Sequence, residues 1–217
     1  STTGTGTLIC IEGIDGSGST TQCQRVQSYL FTRGIPVFAT REPSTGPIGR
    51  MIREALPADP RWHPGEEAMA LLFAADRLDH IRAEIEPSLK RGMVVLTDRY
   101  VTSSVAYQHM KNPASMTATW ISDINSFALI PDLTIVLNVK AEAAMARVAS
   151  RGKPLDAYER DAQFQRDLAD FYASVGKYFE GEPFVYIDGN RSADVVFTDV
   201  CREVDAVLRR KASGETL

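Results

Sequence analysis

Short apolar runs alternate with longer helical stretches along the chain, and this alternation constrains the fold more than any other feature. Each run is rich in branched apolar residues, as is typical of strands buried on both faces of a sheet: 7–13 (TLICIEG), 35–40 (IPVFAT), 93–98 (MVVLTD), 132–139 (DLTIVLNV) and 183–188 (PFVYID). Helical stretches lie around 20–33, 64–92, 102–110, 115–128, 141–150, 158–180 and 192–211. Because such strands pair in parallel through right-handed crossovers, we expect an α/β fold: a doubly wound, five-stranded parallel sheet with helices on both faces.

The longest helical stretch, 64–92, carries an apolar stripe. The members of the stripe recur at intervals of three and four residues, which is the spacing of one helix face: Leu71, Ala74, Leu78, Ile81 and Ile85. We expect this stripe to face the core. Pro87 is expected to bend or weaken the last turn, because proline has no N–H to donate and its ring crowds the preceding turn.

Length and composition bound the class of protein. The chain has 217 residues, of which 44% are hydrophobic and 24% charged, and this balance is ordinary for one soluble globular domain. We predict a single domain over 7–212, a disordered lead-in or tag remnant at 1–6 and a tail at 213–217.

The net charge of −4 argues against nucleic acid as the partner, since such binding depends on a basic surface. No secretory signal or membrane-spanning run is evident, so we expect no membrane partner.

The cysteines give a further indication of the compartment. Cys10, Cys23 and Cys201 are odd in number and lack the spacing of metal ligands. The simplest interpretation is three reduced thiols, which predicts a cytoplasmic protein.

A glycine-rich turn, EGIDGSGSTTQ at 12–22, follows the first predicted strand. A phosphate-binding loop has glycine, four residues, glycine, lysine, then serine or threonine. Gly13, Gly18 and Thr20 match this pattern, but Ser19 stands at the lysine position. A dinucleotide pattern starting at Gly16 would need its third glycine where Thr21 lies. A tight structural turn without a ligand also remains open from this stretch alone.

The residues that follow the other strands favour the phosphate loop. Thr20 lies where its hydroxyl can join the coordination of Mg²⁺, and Asp98, at the end of the third strand, suits a second contact to that metal. Asp15, Arg41 and Arg99 also follow strands. Because ligands of open α/β sheets bind at the carboxyl ends of the strands, we expect these side chains to converge.

Four segments of the chain together resemble the thymidylate kinases. They are IEGIDGSGSTTQ, TREP at 40–43, LLFAADRLDH at 71–80 and DRYVTSSVAYQ at 98–108, in the order of that family. The resemblance extends to about residue 190. It implies the fold of phosphate-loop nucleoside monophosphate kinases and Mg²⁺-assisted transfer of a phosphoryl group from ATP to dTMP, giving dTDP. It also implies a homodimer, for which the face of the 66–90 helix is the expected interface.

The resemblance implies roles for residues on the acceptor side. Arg41 and Arg99 correspond to the arginines that hold the monophosphate, and Asp15 to a carboxylate near the sugar and phosphate. Phe73 and Arg77 correspond to the thymine pocket. Their spacing of four places them on one helix face, separate from the apolar stripe. From spacing alone, a core position for Phe73 and a surface ion pair for Arg77 remain open.

Four further acceptor-side positions share one face of the next helix by their spacing: Ser103, Ser104, Tyr107 and Gln108. In the family the tyrosine crowds the 2′ position of the sugar, which favours deoxyribose, and the positions of Ser104 and Gln108 lie near the base. Spacing alone establishes only the common face.

On the donor side, the resemblance implies that the turn holds the ATP phosphates through Gly13, Ile14, Asp15, Gly16, Ser17, Gly18, Ser19, Thr20 and Thr21. The segment at about 147–160 resembles the mobile lid, with Arg147, Arg151 and Lys153 as candidate cations. The lid often has an arginine after an aspartate, but here Ala157 follows Asp156. DGNRSAD at 188–194 corresponds to the loop on the adenine side.

Because Ser19 stands at the lysine position, the sequence does not fix the level of catalytic activity. The candidate catalytic residues are Asp15, Ser19, Arg99, Arg151 and Lys153. A serine hydroxyl cannot replace the charge of lysine at the phosphates, because charge-assisted contacts are about twice as strong as neutral ones. Phosphoryl transfer is then slowed, a lid cation such as Arg151 or Lys153 compensates, or the protein binds nucleotides with little catalysis. The sequence predicts a thymidylate kinase; another deoxynucleotide kinase and a nucleotide-binding protein are the alternatives.

Overall fold

A five-stranded sheet, in which every pairing is parallel, forms the centre of the molecule. The computed structural model describes residues 6–57, 60–152, 154–156 and 158–214. The strands are β1 (Thr7–Glu12), β2 (Val37–Arg41), β3 (Val94–Asp98), β4 (Leu133–Asn138) and β5 (Phe184–Asp188). They lie in the order β2-β3-β1-β4-β5. The predicted α/β fold with five parallel strands is confirmed.

Nine α-helices lie in the described part of the chain. They are α1 (Ser19–Thr32), α2 (Pro47–Ala55), α3 (Glu66–His80), α4 (Glu86–Lys90), α5 (Val101–Lys111), α6 (Ala118–Ile124), α7 (Ala141–Ala149), α8 (Ala162–Tyr172) and α9 (Ala193–Ser213). A π-helical segment, Ile81–Ile85, joins α3 to α4, and a 3₁₀-helix, Val175–Tyr178, follows α8. No helix of these described residues is long and apolar enough to cross a lipid bilayer.

Alternate residues of β1 face the two helical layers, which is why its residues 8–11 are all apolar. Leu8 and Cys10 pack in the cluster that contains Ile85 of the π-helical segment. Ile9 and Ile11 pack on the opposite face, against residues of α1 and α9. The whole strand is buried. Helices therefore cover both faces of the sheet, as the sequence predicted.

Helix α2 was not among the predicted helices, and its glycine explains the omission. Gly49 is the third residue of α2, and glycine is a weak helix former. A Cβ atom at this position would collide with the backbone carbonyl of Ser44. The glycine is thus required for close packing of α2 on the preceding loop. Pro47 occupies the first turn, where proline is tolerated because its missing N–H has no helical partner.

The predicted 64–92 helix is divided, and the predicted stripe is partly wrong. Ala74, Ile81 and Ile85 are buried, but Leu71 is 50% exposed and Leu78 is 36% exposed. The reason is that α3 turns a polar face inward, which carries Asp76, Arg77 and His80. The π-helical segment lies just before Pro87 and accommodates the proline ring by widening the helix.

The ends of the predicted domain lie close together. The Gly6 N–H donates to the carbonyl oxygen of Leu89, and the Lys211 ammonium donates to the carbonyl oxygen of Gly6. Helix α9 extends to Ser213, with Gly214 as its left-handed cap. The rest of the predicted lead-in, 1–5, and of the predicted tail, 215–217, lies outside the described residues.

Candidate active site

The glycine-rich turn connects β1 directly to α1, and its glycines are required by its geometry. Gly13, Gly16 and Gly18 all have positive φ angles, of 155°, 82° and 98°. A Cβ atom at Gly16 would collide with the carbonyl oxygen of Ala144 in α7. Gly18 is the N-cap of α1 and supplies no side-chain cap, so the first N–H groups of this helix have no side-chain partner at the cap. Such a helix start attracts an anion through its N–H groups and its dipole.

Thr20 and Asp98 meet at the start of α1. The Thr20 hydroxyl donates to Asp98 Oδ2. Asp98 Oδ1 is buried and has no hydrogen-bond partner among the described residues. A hydroxyl and a carboxylate are hard oxygen ligands of the type that Mg²⁺ prefers. The two residues therefore fit the magnesium site predicted from the sequence.

A cavity beside the turn, which we call the acceptor cavity, brings together every side chain predicted for the acceptor. Its lining contains Asp15, Arg41, Phe73, Arg77, Arg99, Ser103, Ser104, Tyr107 and Gln108. The last four lie on one face of α5, as their spacing predicted. The cavity opens at the carboxyl ends of the strands, next to the glycine-rich turn.

Arg99 is held between the turn and α5 in an unusual backbone conformation. Its φ is 73°, and among the described residues it is the only one other than glycine with a positive φ. Its Nη2 lies 2.6 Å from Asp15 Oδ1, and its Nη1 lies 3.2 Å from Ser103 Oγ. The Tyr107 hydroxyl donates to the other oxygen of Asp15 at 2.8 Å. Since left-handed backbone strain tends to occur at functional sites, this conformation points to a role for the Arg99 guanidinium.

Arg41 is the other arginine of the acceptor cavity predicted to hold the phosphate. It lies at the end of β2 and is exposed. Unlike Arg99, it forms no ion pair with any residue that the structure describes. Its charge is therefore available to an anion in the cavity.

Arg77 is buried, not paired on the surface. Its Nε donates to Glu42 Oε2 at 2.8 Å, and its Nη2 donates to Ser104 Oγ at 3.1 Å. Its Nη1 donates to Asn125 Oδ1. These contacts fix the guanidinium at the end of the cavity. Phe73, one turn earlier in α3, both lines the cavity and packs against the small cluster around Ile52.

Gln108 contributes an unsatisfied acceptor to the same cavity. Its side chain is 2% exposed, and its Oε1 has no hydrogen-bond partner among the described residues. A buried amide oxygen without a partner costs free energy, which a ligand N–H can recover.

The candidate lid cations lie in different places. Arg147 Nη1 lies 3.3 Å from the carbonyl oxygen of Gly16, and its Nη2 lies 3.0 Å from the carbonyl oxygen of Gly189. Arg147 therefore links the glycine-rich turn to the turn after β5. Arg151 is exposed, and its Nη1 lies 3.6 Å from Glu159 Oε1. Lys153 lies outside the described residues.

Sequence reasoning missed several residues of the acceptor cavity: Glu42, Pro43, Leu56, Tyr100, Asp156 and Tyr158. Glu42 and Pro43 belong to the TREP segment, whose arginine was the residue singled out. Asp156 and Tyr158 come from the predicted lid, and Asp156 forms a β-bridge with Pro57. Burial raises the pKa of Asp156 to about 6. The aromatic side chain of Tyr158, next to charged residues, was the available signal for this part of the lid.

Comparison with known proteins agrees with this geometry. The family model described as thymidylate kinase matches residues 11–200. A probable thymidylate kinase of Pyrobaculum aerophilum is 40% identical over 204 residues, which cover 94% of this chain and 99% of that protein. A probable thymidylate kinase of Pyrobaculum calidifontis is 41% identical over 211 residues, which cover 94% of this chain and 100% of that protein. The thymidylate kinase of Carboxydothermus hydrogenoformans is 35% identical over 202 residues, which cover 90% of this chain and 95% of that protein. The chain belongs to the thymidylate kinase family.

Proposed function

We propose that this chain transfers the γ-phosphoryl group of ATP to dTMP, giving dTDP and ADP. The observation that carries the proposal is the position of Asp15. It lies in the glycine-rich turn that would hold the ATP phosphates, and its carboxylate holds Arg99 and Tyr107 of the acceptor cavity. Donor and acceptor phosphates are thereby directed toward each other.

Arg41 and Arg99 are the proposed clamps on the dTMP phosphate. Planar guanidinium groups bind phosphate oxygens in a bidentate manner, and both side chains line the cavity. Phe73 offers its ring to the base. Gln108 Oε1 suits the N3–H of thymine, whereas cytosine presents a lone pair at that position. This arrangement favours dTMP over dCMP.

The donor site consists of the turn, the start of α1 and the residues that fit a metal ion. Thr20 and Asp98 would hold Mg²⁺, which neutralises phosphate charge when it is bound. Arg147 lies beside the turn, and Ser19 opens α1. The lid at about 147–160 belongs to the single domain that we propose over 7–212, and its residues Asp156 and Tyr158 close one side of the acceptor cavity.

The reaction needs positioning more than proton transfer. A phosphate monoester is mostly a dianion at neutral pH, so an oxygen of dTMP can attack without a general base. A bond forms between that oxygen and the γ-phosphorus, and the bond to the bridging oxygen of ADP breaks. Arg99 and Arg41 hold the attacking phosphate and reduce its repulsion from the donor.

A coupled ADP-release assay tests the proposal. ATP and Mg²⁺ are supplied with dTMP, dUMP, dCMP or dAMP as acceptor, and dTMP is expected to have the highest kcat/KM. A higher value for dCMP or dAMP would identify a different deoxynucleotide kinase. Tight binding of ATP and dTMP without ADP release would identify a nucleotide-binding protein.

Replacing Ser19 with lysine is expected to raise kcat by about 100-fold, the scale of one preorganised donor in a transition state. The reason is that no described cation occupies the lysine position. Arg147 contacts loop carbonyls, which point away from the N–H groups of the same peptide units. The measurement is kcat at saturating ATP and dTMP, and Gln24→Lys, an exposed change later in α1, is the matched control. An unchanged kcat would contradict this expectation and point to Arg151 or Lys153 as the replacement.

A homodimer and a cytoplasmic location complete the proposal. Met51 of α2 and Leu71 and Leu78 of α3 are apolar but exposed, so packing against a second copy would bury them. The three cysteines are free and buried, as suits a reducing compartment.

Sedimentation velocity tests the dimer. Wild type is expected to sediment as a dimer and Leu71→Glu as a monomer, because the new charge would be buried without a partner. Phe31→Glu changes an equally apolar and even more exposed residue of α1, 75% exposed, and is expected to remain dimeric. A monomeric wild type, or dissociation by Phe31→Glu alone, would contradict the proposed interface.

A further inference from the structure

Glu12 is a fully buried carboxylate at the end of β1, where the glycine-rich turn begins, and it does not line the acceptor cavity. It accepts four hydrogen bonds. Two come from backbone N–H groups, of Tyr100 at 2.7 Å and Ser103 at 3.3 Å. The others come from hydroxyl groups, of Ser103 at 2.6 Å and Tyr172 at 3.2 Å. Every partner except Tyr172 belongs to the start of α5.

The Glu12 carboxylate, which belongs to β1, caps the start of helix α5. Helix α5 begins after Tyr100, and its own N-cap residue supplies no side-chain hydrogen bond. Glu12 satisfies two of the N–H groups at this end, where the helix dipole also favours a negative charge. The end of β1 is thereby tied to the helix that carries Ser104, Tyr107 and Gln108 of the acceptor cavity.

The same carboxylate also acts on Arg99 through Ser103. A serine hydroxyl has one proton, and Ser103 donates it to Glu12. The lone pairs of Ser103 Oγ are then free to accept from Arg99 Nη1 at 3.2 Å. Arg99 is thus held on one side by Asp15 of the turn and on the other by Ser103.

Burial raises the pKa of Glu12 to about 7, although the hydrogen bonds from Ser103 and the charge of Arg99 lower it. A buried carboxylate is costly, and its position between the two halves of a site suggests a functional reason for keeping it.

We propose that Glu12 is a positioning residue that fixes Arg99 and the start of α5 relative to the glycine-rich turn. This inference rests on the proposed function, in which Arg99 holds the acceptor phosphate. Glu12 itself touches neither nucleotide. Its loss is therefore expected to weaken the use of dTMP while leaving ATP binding intact.

Glu12→Gln is the primary test, because glutamine keeps the shape but cannot accept all the bonds of a carboxylate. The KM for dTMP is expected to rise about tenfold, and the KM for ATP to change less than about twofold. The control is Asp132→Asn. It removes a carboxylate that accepts from the Leu8 N–H and from Lys211, far from the cavity, and is expected to leave both KM values unchanged.

Ser103 also lines the acceptor cavity, so its replacement is assessed by the position of Arg99 in a crystal structure as well as by the KM for dTMP. With both readouts, Ser103→Ala keeps the test decisive if Glu12→Gln does not fold. It breaks the link to Arg99 while the Tyr100 N–H still reaches Glu12, and is expected to raise the KM for dTMP similarly. The double variant is expected to be no worse than the single ones, because both changes remove one chain of contacts. A normal KM for dTMP in folded Glu12→Gln would overturn the inference.

A crystal structure of Glu12→Gln separates this inference from the proposed function. Arg99 is expected to move away from Asp15 in that variant. An unmoved Arg99 and an unmoved α5 would overturn the positioning role, whatever acceptor the wild type uses. Failure of the wild type to phosphorylate dTMP, with Arg99 displaced in the variant, would instead count against the proposed function alone.

Discussion

Replacing Arg99 with alanine is expected to lower kcat/KM for dTMP by about 10³-fold or more, the scale seen when an arginine at a transferring phosphoryl group is lost. Of the two proposed phosphate clamps, Arg99 is the one that contacts within the fold hold in place, whereas Arg41 forms no ion pair among the described residues. Its backbone is in a left-handed conformation, and Asp15 and Ser103 fix its guanidinium. Without Arg99, the Asp15 carboxylate would repel the acceptor phosphate, because no cation would lie between them.

The measurement is the initial rate of ADP release over a range of dTMP concentrations. Arg33→Ala is the matched control, since Arg33 pairs with Asp205 on the outside of the fold and is expected to leave kcat/KM unchanged. A fall of less than about tenfold in Arg99→Ala would show that Arg41 alone suffices to hold the phosphate, and would contradict the proposed role.

Replacing Arg77 with alanine is expected to lower the free energy of unfolding by about 3–5 kcal/mol, because removing one partner of a buried ion pair leaves the other charge uncompensated. Arg77 and Glu42 are 1% and 3% exposed, and their closest atoms lie 2.7 Å apart. The same change removes the donors to Asn125 and Ser104. A loss of this size is a large fraction of the stability of a typical domain.

Urea unfolding followed by circular dichroism measures this loss. The double variant Arg77→Met with Glu42→Gln is expected to recover part of it, because the uncompensated charge is then removed. Arg202→Ala breaks an exposed ion pair with Asp199 and is expected to change stability little. Equal midpoints for Arg77→Ala and Arg202→Ala would show that the Arg77–Glu42 pair does not stabilise the fold.

Strands β1, β3 and β4 were predictable because their burial on both faces requires runs of apolar sequence. Strand β1 is the clearest case, since residues facing opposite helical layers are equally apolar. Helix α2 was not predictable in this way, because Gly49 serves a close backbone contact that appears only in three dimensions. The orientation of α3 was misjudged for a related reason. Its buried face carries Arg77, whose partner Glu42 is 35 residues away in sequence.

The candidate site was predictable where its residues follow strands or share a helix face. Asp15, Arg41 and Arg99 follow strands, and Ser104 and Gln108 share a face of α5. Residues that other elements contribute to the site could not be identified from the sequence pattern. Tyr158 reaches the acceptor cavity from the predicted lid segment, and Glu12, at the end of β1, caps a helix distant in sequence. Such long-range contacts depend on the packing of the whole fold.

The central claim is that the acceptor cavity binds a nucleoside monophosphate beside the glycine-rich turn. A crystal structure of the chain with dTMP tests it most directly. We predict the phosphate against Arg41 and Arg99, and the base between Phe73 and Gln108. Density for dTMP at any other place, with these four side chains free of nucleotide, would contradict the account.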